Sequence, residues 1–143
     1  MKTSTIALML ALVVSGTAFG ATHPRIMITG ARIRVPPPGA PTAAGYATIT
    51  NTSTMPDRLL GGSTPAAASL EVHAMSMNGM VMRMRPVVGG LVVGAHQTVT
   101  LAEGGYHFMF IAPKRTLKAG DRVPATLRFQ TVGAVPVIFT VGP

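Results

Sequence analysis

The chain has no cysteine, no tryptophan, seven other aromatic residues and only four acids against twelve lysines and arginines in 143 residues. Without cysteine there is neither a disulfide framework nor a thiolate metal site, so stability has to come from an ordinary apolar core. With so few acids, none of them paired, and no nucleophile set beside a base, acid–base and nucleophilic catalysis lack their parts. The expectation is therefore a protein that is not an enzyme. The scarcity of aromatics, the scatter of the basic residues and the lack of a binding motif argue against nucleic acid as a partner. No helical period is sustained over ten residues, and no apolar run is long enough to cross a bilayer.

The longest apolar run, Ile6 to Val14, follows Lys2 and precedes Ala18-Phe19-Gly20, the pattern of an export leader. Residues 1–20 are read as a signal peptide and 21–143 as one domain, with cleavage after Ala18 as the competing choice. Removing the leader takes away one lysine and lowers the formal charge from +8 to +7. That excess favours acidic partners or an anionic membrane surface, or simply keeps an exported protein soluble.

What the chain does have is a series of short apolar segments divided by Gly/Pro turns. Arg25 to Arg34, Ala44 to Asn51, Leu70 onward, Val92 to Leu101, Tyr106 to Ile111, Arg122 to Gln130 and Ala134 to Val141 all read as strands. Gly61-Gly62-Ser63-Thr64-Pro65 reads as a break, and Pro124 and Pro136 mark strands that are edges or have an unpaired end. Strands at intervals of roughly ten residues predict an all-β, single-domain Greek-key sandwich or barrel.

Asn78-Gly79 is a strong hairpin signal, since both central residues of a type I′ turn need positive φ. As the whole loop it pairs Met77 with Met80, Met75 with Met82 and His73 with Met84, with opposed Cβ atoms about 4.5–5.5 Å apart. In Tyr106 to Ile111 (YHFMFI) alternation sets His107 and Met109 on one face and Tyr106, Phe108 and Phe110 on the other. His73, Met84, His107 and Met109 then form a set of two imidazoles and two thioethers, all neutral. Thioether sulfur is soft and selects Cu(I), while imidazole suits copper in either oxidation state.

The spacing His73-x₁₀-Met84-x₂₂-His107-x-Met109 closely resembles the H-x₁₀-M-x₂₁-H-x-M signature of the periplasmic copper chaperones of the PCu(A)C type. The flanking text is similar too, at Pro41 to Tyr46, Gly79 to Pro86, Gly104 to Met109 and Leu117 to Pro124. The resemblance implies a cupredoxin-like β-barrel that binds one Cu(I) through those four residues. It also implies delivery to the apo CuA site of cytochrome c oxidase or to an assembly factor. One extra residue lies in the long spacer, and the first strand has Gly30 and Arg32 where an acid and a tryptophan are common; neither departure touches a ligand.

Several residues carry two readings. Met75, Met77, Met80 and Met82 are a hydrophobic rim that shields copper and docks a partner, or Met75 or Met82 is an alternative donor during transfer. His23 stands third in a mature chain beginning at Ala21, where amine, two amides and imidazole make the square-planar N₄ set that Cu(II) prefers; with any other cleavage it is idle. His96 reads as a surface histidine, and Lys114, Arg115 and Lys118 as a solvated loop or a dock for an acidic partner. A copper redox enzyme and a metal-free binding module are the competing functional classes.

Overall fold

The computed structural model describes residues 25–143, so the leader and His23 lie outside the described residues. The elements are β1 (Ile26–Arg34), β2 (Thr42–Asn51), β3 (Asp57–Ser63), β4 (Ala67–Asn78), β5 (Val81–Pro86), β6 (Leu91–Val93), β7 (Thr98–Leu101), β8 (Tyr106–Pro113), β9 (Arg122–Phe129) and β10 (Gly133–Gly142). Seven of them close a barrel in the order β4, β8, β2, β1, β10, β9, β3, with β3 returning to β4 where Gly62 meets Leu70. β5 continues the sheet beyond β4, β6 continues it beyond β3, and β7 pairs with β2. Only β1 and β10 run parallel. Neighbours in the barrel are mostly distant in sequence, the crossing-over of a Greek key.

Alternation builds the core. In β9, Val123, Ala125, Leu127 and Phe129 are buried while the residues between them are not. Phe139 of β10 meets Phe108 edge-on at 5.4 Å and 78°, and Phe110 at 5.2 Å and 85°. Such edge-to-face pairs contribute roughly 0.5–1.5 kcal/mol each beyond their buried area. This aromatic group grips the inner side of β8, whose other side presents His107 and Met109.

Two expectations about the strands need correction, and a third is narrowed to one of its alternatives. The Gly-Gly stretch taken as a break belongs to β3, and its glycine is there for closeness: a Cβ on Gly62 would stand 2.5 Å from the Thr126 carbonyl oxygen of β9. The single strand expected from Val92 to Leu101 is split into β6 and β7 by a turn in which exposed His96 has φ of +55°. Pro124 and Pro136 are exposed residues within barrel strands, opposite Ile138 and Thr126 across β9 and β10. Both are tolerated because their strands are open on the other side at those points: β9 pairs with β3 only from Thr126, and β10 pairs with β1 only from Thr140. The unpaired-end alternative is the one that holds.

Two buried polar side chains pin the turns. Asp57 accepts hydrogen bonds from the backbone N–H groups of Arg58 (2.8 Å), Thr131 (2.8 Å) and Val132 (3.0 Å), tying the start of β3 to the β9–β10 turn. Burial pushes its carboxyl up, but those amides outweigh it and hold the group below the usual range. Asn51 donates to the carbonyls of Met55 and Val93 and accepts from Ser53, leaving its amide satisfied.

Candidate metal centre

The hairpin β4–β5 is where the sequence-based register changes. Asn78 pairs with Val81, Met77 with Met82, Met75 with Met84 and His73 with Pro86, so the two-residue loop is Gly79-Met80. Gly79 takes the positive φ (+64°) at the first loop position, the II′ pattern. The reason lies at the far end. Val87 N–H donates to the Val72 carbonyl at 2.9 Å, so hydrogen-bonded and non-hydrogen-bonded pairs alternate outward from there, and Pro86, which has no N–H, falls opposite His73 in a non-hydrogen-bonded pair. In the Asn-Gly register Pro86 would occupy a donor position it is unable to fill. The slip moves each partner by two residues, so every side chain keeps its face, but Met84 becomes a diagonal neighbour of His73 instead of a direct one.

The direct partner of His73 is His107. The two are opposed across β4 and β8, with ring centroids 5.9 Å apart and planes tilted by 52°. His107 Nδ1 lies 3.1 Å from the Gly105 carbonyl oxygen, an acceptor only, so this nitrogen is the donor and Nε2 keeps a lone pair in the neutral ring. His73 Nε2 lies 2.8 Å from a carboxylate oxygen of Glu71, which leaves Nδ1 with the lone pair. His73 Nδ1 and His107 Nε2 are both buried and have no hydrogen-bond partner. One ring nitrogen held by an oxygen and the other left free is the way a metal-binding imidazole is oriented.

A cavity of about 360 Å³ opens beside His107. Met75, Met82, Met84 and Met109 line it together with His107, and Arg34, Ala44, Tyr46, Glu103 and Gly104 form the rest of its wall. His73 does not line the cavity; it reaches the site through its pairing with His107. Sequence reasoning set His107, Met109 and Met84 on faces that meet at one space, which Met75 and Met82 also line. It missed Glu71 and the Gly105 carbonyl, although Glu71 stands two residues before His73 and so shares its face. It also missed the wall. Arg32, the departure noted in the first strand, lies over the Tyr46 ring at 4.7 Å and packs its outer side. Burial pushes the Tyr46 phenol up, with Glu103 adding to the effect, so the wall presents a neutral hydroxyl.

Among the described residues no three His, Asp or Glu side chains gather to hold a metal ion. The other donor-bearing side chains beside the paired imidazoles are the cavity's thioethers, and a neutral nitrogen–sulfur set is chemistry for a soft ion.

A closed all-β barrel with paired imidazoles on opposed strands, one of them beside a thioether-lined cavity, defines a cupredoxin-like domain. The chain belongs to the LpqE-like family, whose model, described as "Putative lipoprotein LpqE-like", matches residues 26–141. A "Putative lipoprotein Lxx21020" from Leifsonia xyli subsp. xyli is 30% identical over 99 residues, which are 69% of this chain. The match spans 60% of the length of that curated relative. Among solved structures, the copper-bound PCuAC domain from PmoF2 shares the fold with a TM-score of 0.69 at 24% identity, covering 82% of this chain and 92% of that one. Copper(I)-bound DR1885 from Deinococcus radiodurans is 34% identical with a TM-score of 0.64, covering 89% of this chain and 84% of that one. Its apo form matches at 31% identity and a TM-score of 0.62, over 99% of this chain and 93% of that one.

Proposed function

We propose that this protein is an exported copper carrier that holds one Cu(I) through His73 Nδ1, His107 Nε2, Met84 and Met109 and surrenders it to an acceptor protein. The observation that carries the reading is the pair of buried, unpartnered imidazole nitrogens on opposed strands beside four cavity-lining thioethers. Leaving a buried ring nitrogen without a partner costs on the order of 1–3 kcal/mol, a cost that a bound ion removes. The copper-bound state of the structural relatives supports the same cargo. All four donors are neutral, so the bound ion keeps its single positive charge, which suits reversible holding. The resemblance to the PCu(A)C chaperones implies as acceptor the apo CuA site of cytochrome c oxidase or its assembly factor. Met75 stands opposite Met84 and, with Met82, lines the same cavity as a replacement donor.

X-ray absorption on Cu(I)-loaded protein tests the assignment. A mixed nitrogen and sulfur shell is expected, losing nitrogen in His73→Ala and in His107→Ala and sulfur in Met109→Leu. A sulfur-only shell that ignores both histidine substitutions would overturn it. Loaded protein mixed with a reductant and oxygen should release its ion to a chelator without catalytic turnover; sustained turnover would favour a copper redox enzyme instead.

A further inference from the structure

The β4–β5 hairpin outruns the barrel. β8 pairs with β4 no farther than Ala74 and Tyr106, and the last backbone link is Met75 N–H to the Gly105 carbonyl at 3.3 Å. From Ser76 outward the two hairpin strands have only each other. Their faces differ sharply in chemistry. Ser76, Arg83 and Arg85 point one way, while Met75, Met77, Met82 and Met84 point the other, on the side of His73. Both methionine pairs fall at non-hydrogen-bonded positions, where opposed Cα atoms are only about 4.5 Å apart and side chains are closest.

Exposure along this face falls in one direction: Met80 98%, Met77 62%, Met82 57%, Met84 51%, then Met109 9% and His107 3%. Met77, Met80 and Met82 are no part of the barrel's apolar core. Four large apolar side chains held out in water by a two-stranded arm are not explained by packing.

We propose that Met77 and Met82, completed by Met80 from the loop, form a second Cu(I) site, an outer thioether-only station that exchanges its ion with the inner site by way of Met75 and Met84. The binding of an ion there needs only the thioethers; its role in transfer rests on the copper-carrier reading. Successive pairs lie about 7 Å apart along the hairpin, and methionine has three rotatable bonds with which to swing its sulfur between neighbours. At each step one copper–sulfur bond forms as another breaks, and the ion stays Cu(I) throughout, so no oxidant or reductant is consumed. Lacking imidazole, the outer station holds the ion more weakly than the inner one. An ion arriving at the tip therefore runs inward, and the same row presents it to an acceptor docked on the arm.

Titration of the protein with Ag(I), a soft closed-shell stand-in for Cu(I) that resists redox change, followed by NMR of the methionine methyl groups, tests this directly. Two equivalents are expected. The first moves the Met84 and Met109 methyls; the second, about tenfold weaker, moves those of Met77, Met80 and Met82. The double variant M77L/M80L, which leaves every methionine lining the inner cavity in place, should bind one equivalent with the wild-type inner affinity and lose Cu(I) to a chelating acceptor several-fold more slowly. The variant H73A/H107A should do the reverse, losing the tight equivalent while the hairpin methyls still shift. Hairpin methyls that stay still in excess Ag(I) would overturn the outer site. A double variant that transfers copper at the wild-type rate would overturn the relay. A wild type that shows the weak hairpin site and no tight one would defeat the copper-carrier reading and leave this site standing.

Discussion

The chemistry of the centre depends on which nitrogen of each ring is free, and that is set by two oxygens. Glu71 fixes His73 and the Gly105 carbonyl fixes His107, so the rings offer different atoms, Nδ1 from one and Nε2 from the other. Glu71 is no donor in the proposed set, yet its carboxylate orients the His73 ring. Glu71→Gln should leave the fold intact and weaken Cu(I) binding about tenfold, read by competition with a chromophoric chelator. Glu71→Asp, which keeps the charge, should recover part of the loss; unchanged affinity in Glu71→Gln would reduce the contact to a surface pairing. Of these features the proposed donors His107 and Met109 were readable as neighbours, because alternation alone puts them on one face. Their partner oxygens were not, since nothing local says that a backbone carbonyl at Gly105 will turn toward a ring.

At the scale of the strands, turn chemistry misled and geometry corrected. Asn78-Gly79 and Gly79-Met80 are both two-residue loops with a glycine, and the choice between them is made seven residues away by the missing N–H of Pro86. Pairing between β4 and β8, which brings His73 to His107, joins residues far apart in sequence and is a product of the whole barrel. β3 was hidden for a related reason: its glycines look like a break and are instead the close approach of three strands. The same strand begins at Asp57, whose carboxylate gathers three backbone amides. Asp57→Asn should destabilise the protein by about 2 kcal/mol at pH 7, the value of a few charge-assisted hydrogen bonds beyond neutral ones. Because the folded carboxyl titrates below its unfolded range, this stabilisation is complete above about pH 4 and is lost as pH falls through the lowered folded value. Urea unfolding at pH 7 and at pH 3 checks it: the gap between the two proteins should narrow at the lower pH.

Over the whole molecule, the all-β class and the Greek-key order followed from many short apolar segments and the want of any helical period, and the barrel bears both out. Its closure is made where β3 meets β4, with Gly62 paired to Leu70. The formal charge of +7 that is left without Lys2 surrounds a proposed centre whose own donors carry none. Release of a cation is thereby eased toward any acceptor that is negatively charged.

The opposition of His73 and His107 also ties cargo to stability. An ion held by both rings is a cross-link between β4 and β8, present only when the protein is folded, so occupancy shifts the unfolding equilibrium itself. At a hundredfold excess of free ion over its dissociation constant the shift is about 2.7 kcal/mol, or on the order of 10 °C in melting temperature. Calorimetry of apo and Cu(I)-loaded protein should show that rise, and equal melting temperatures would mean the ion is not shared between the strands. A carrier built this way is its own gauge: the empty form is the softer one, marked by its melting point as ready to be filled or removed.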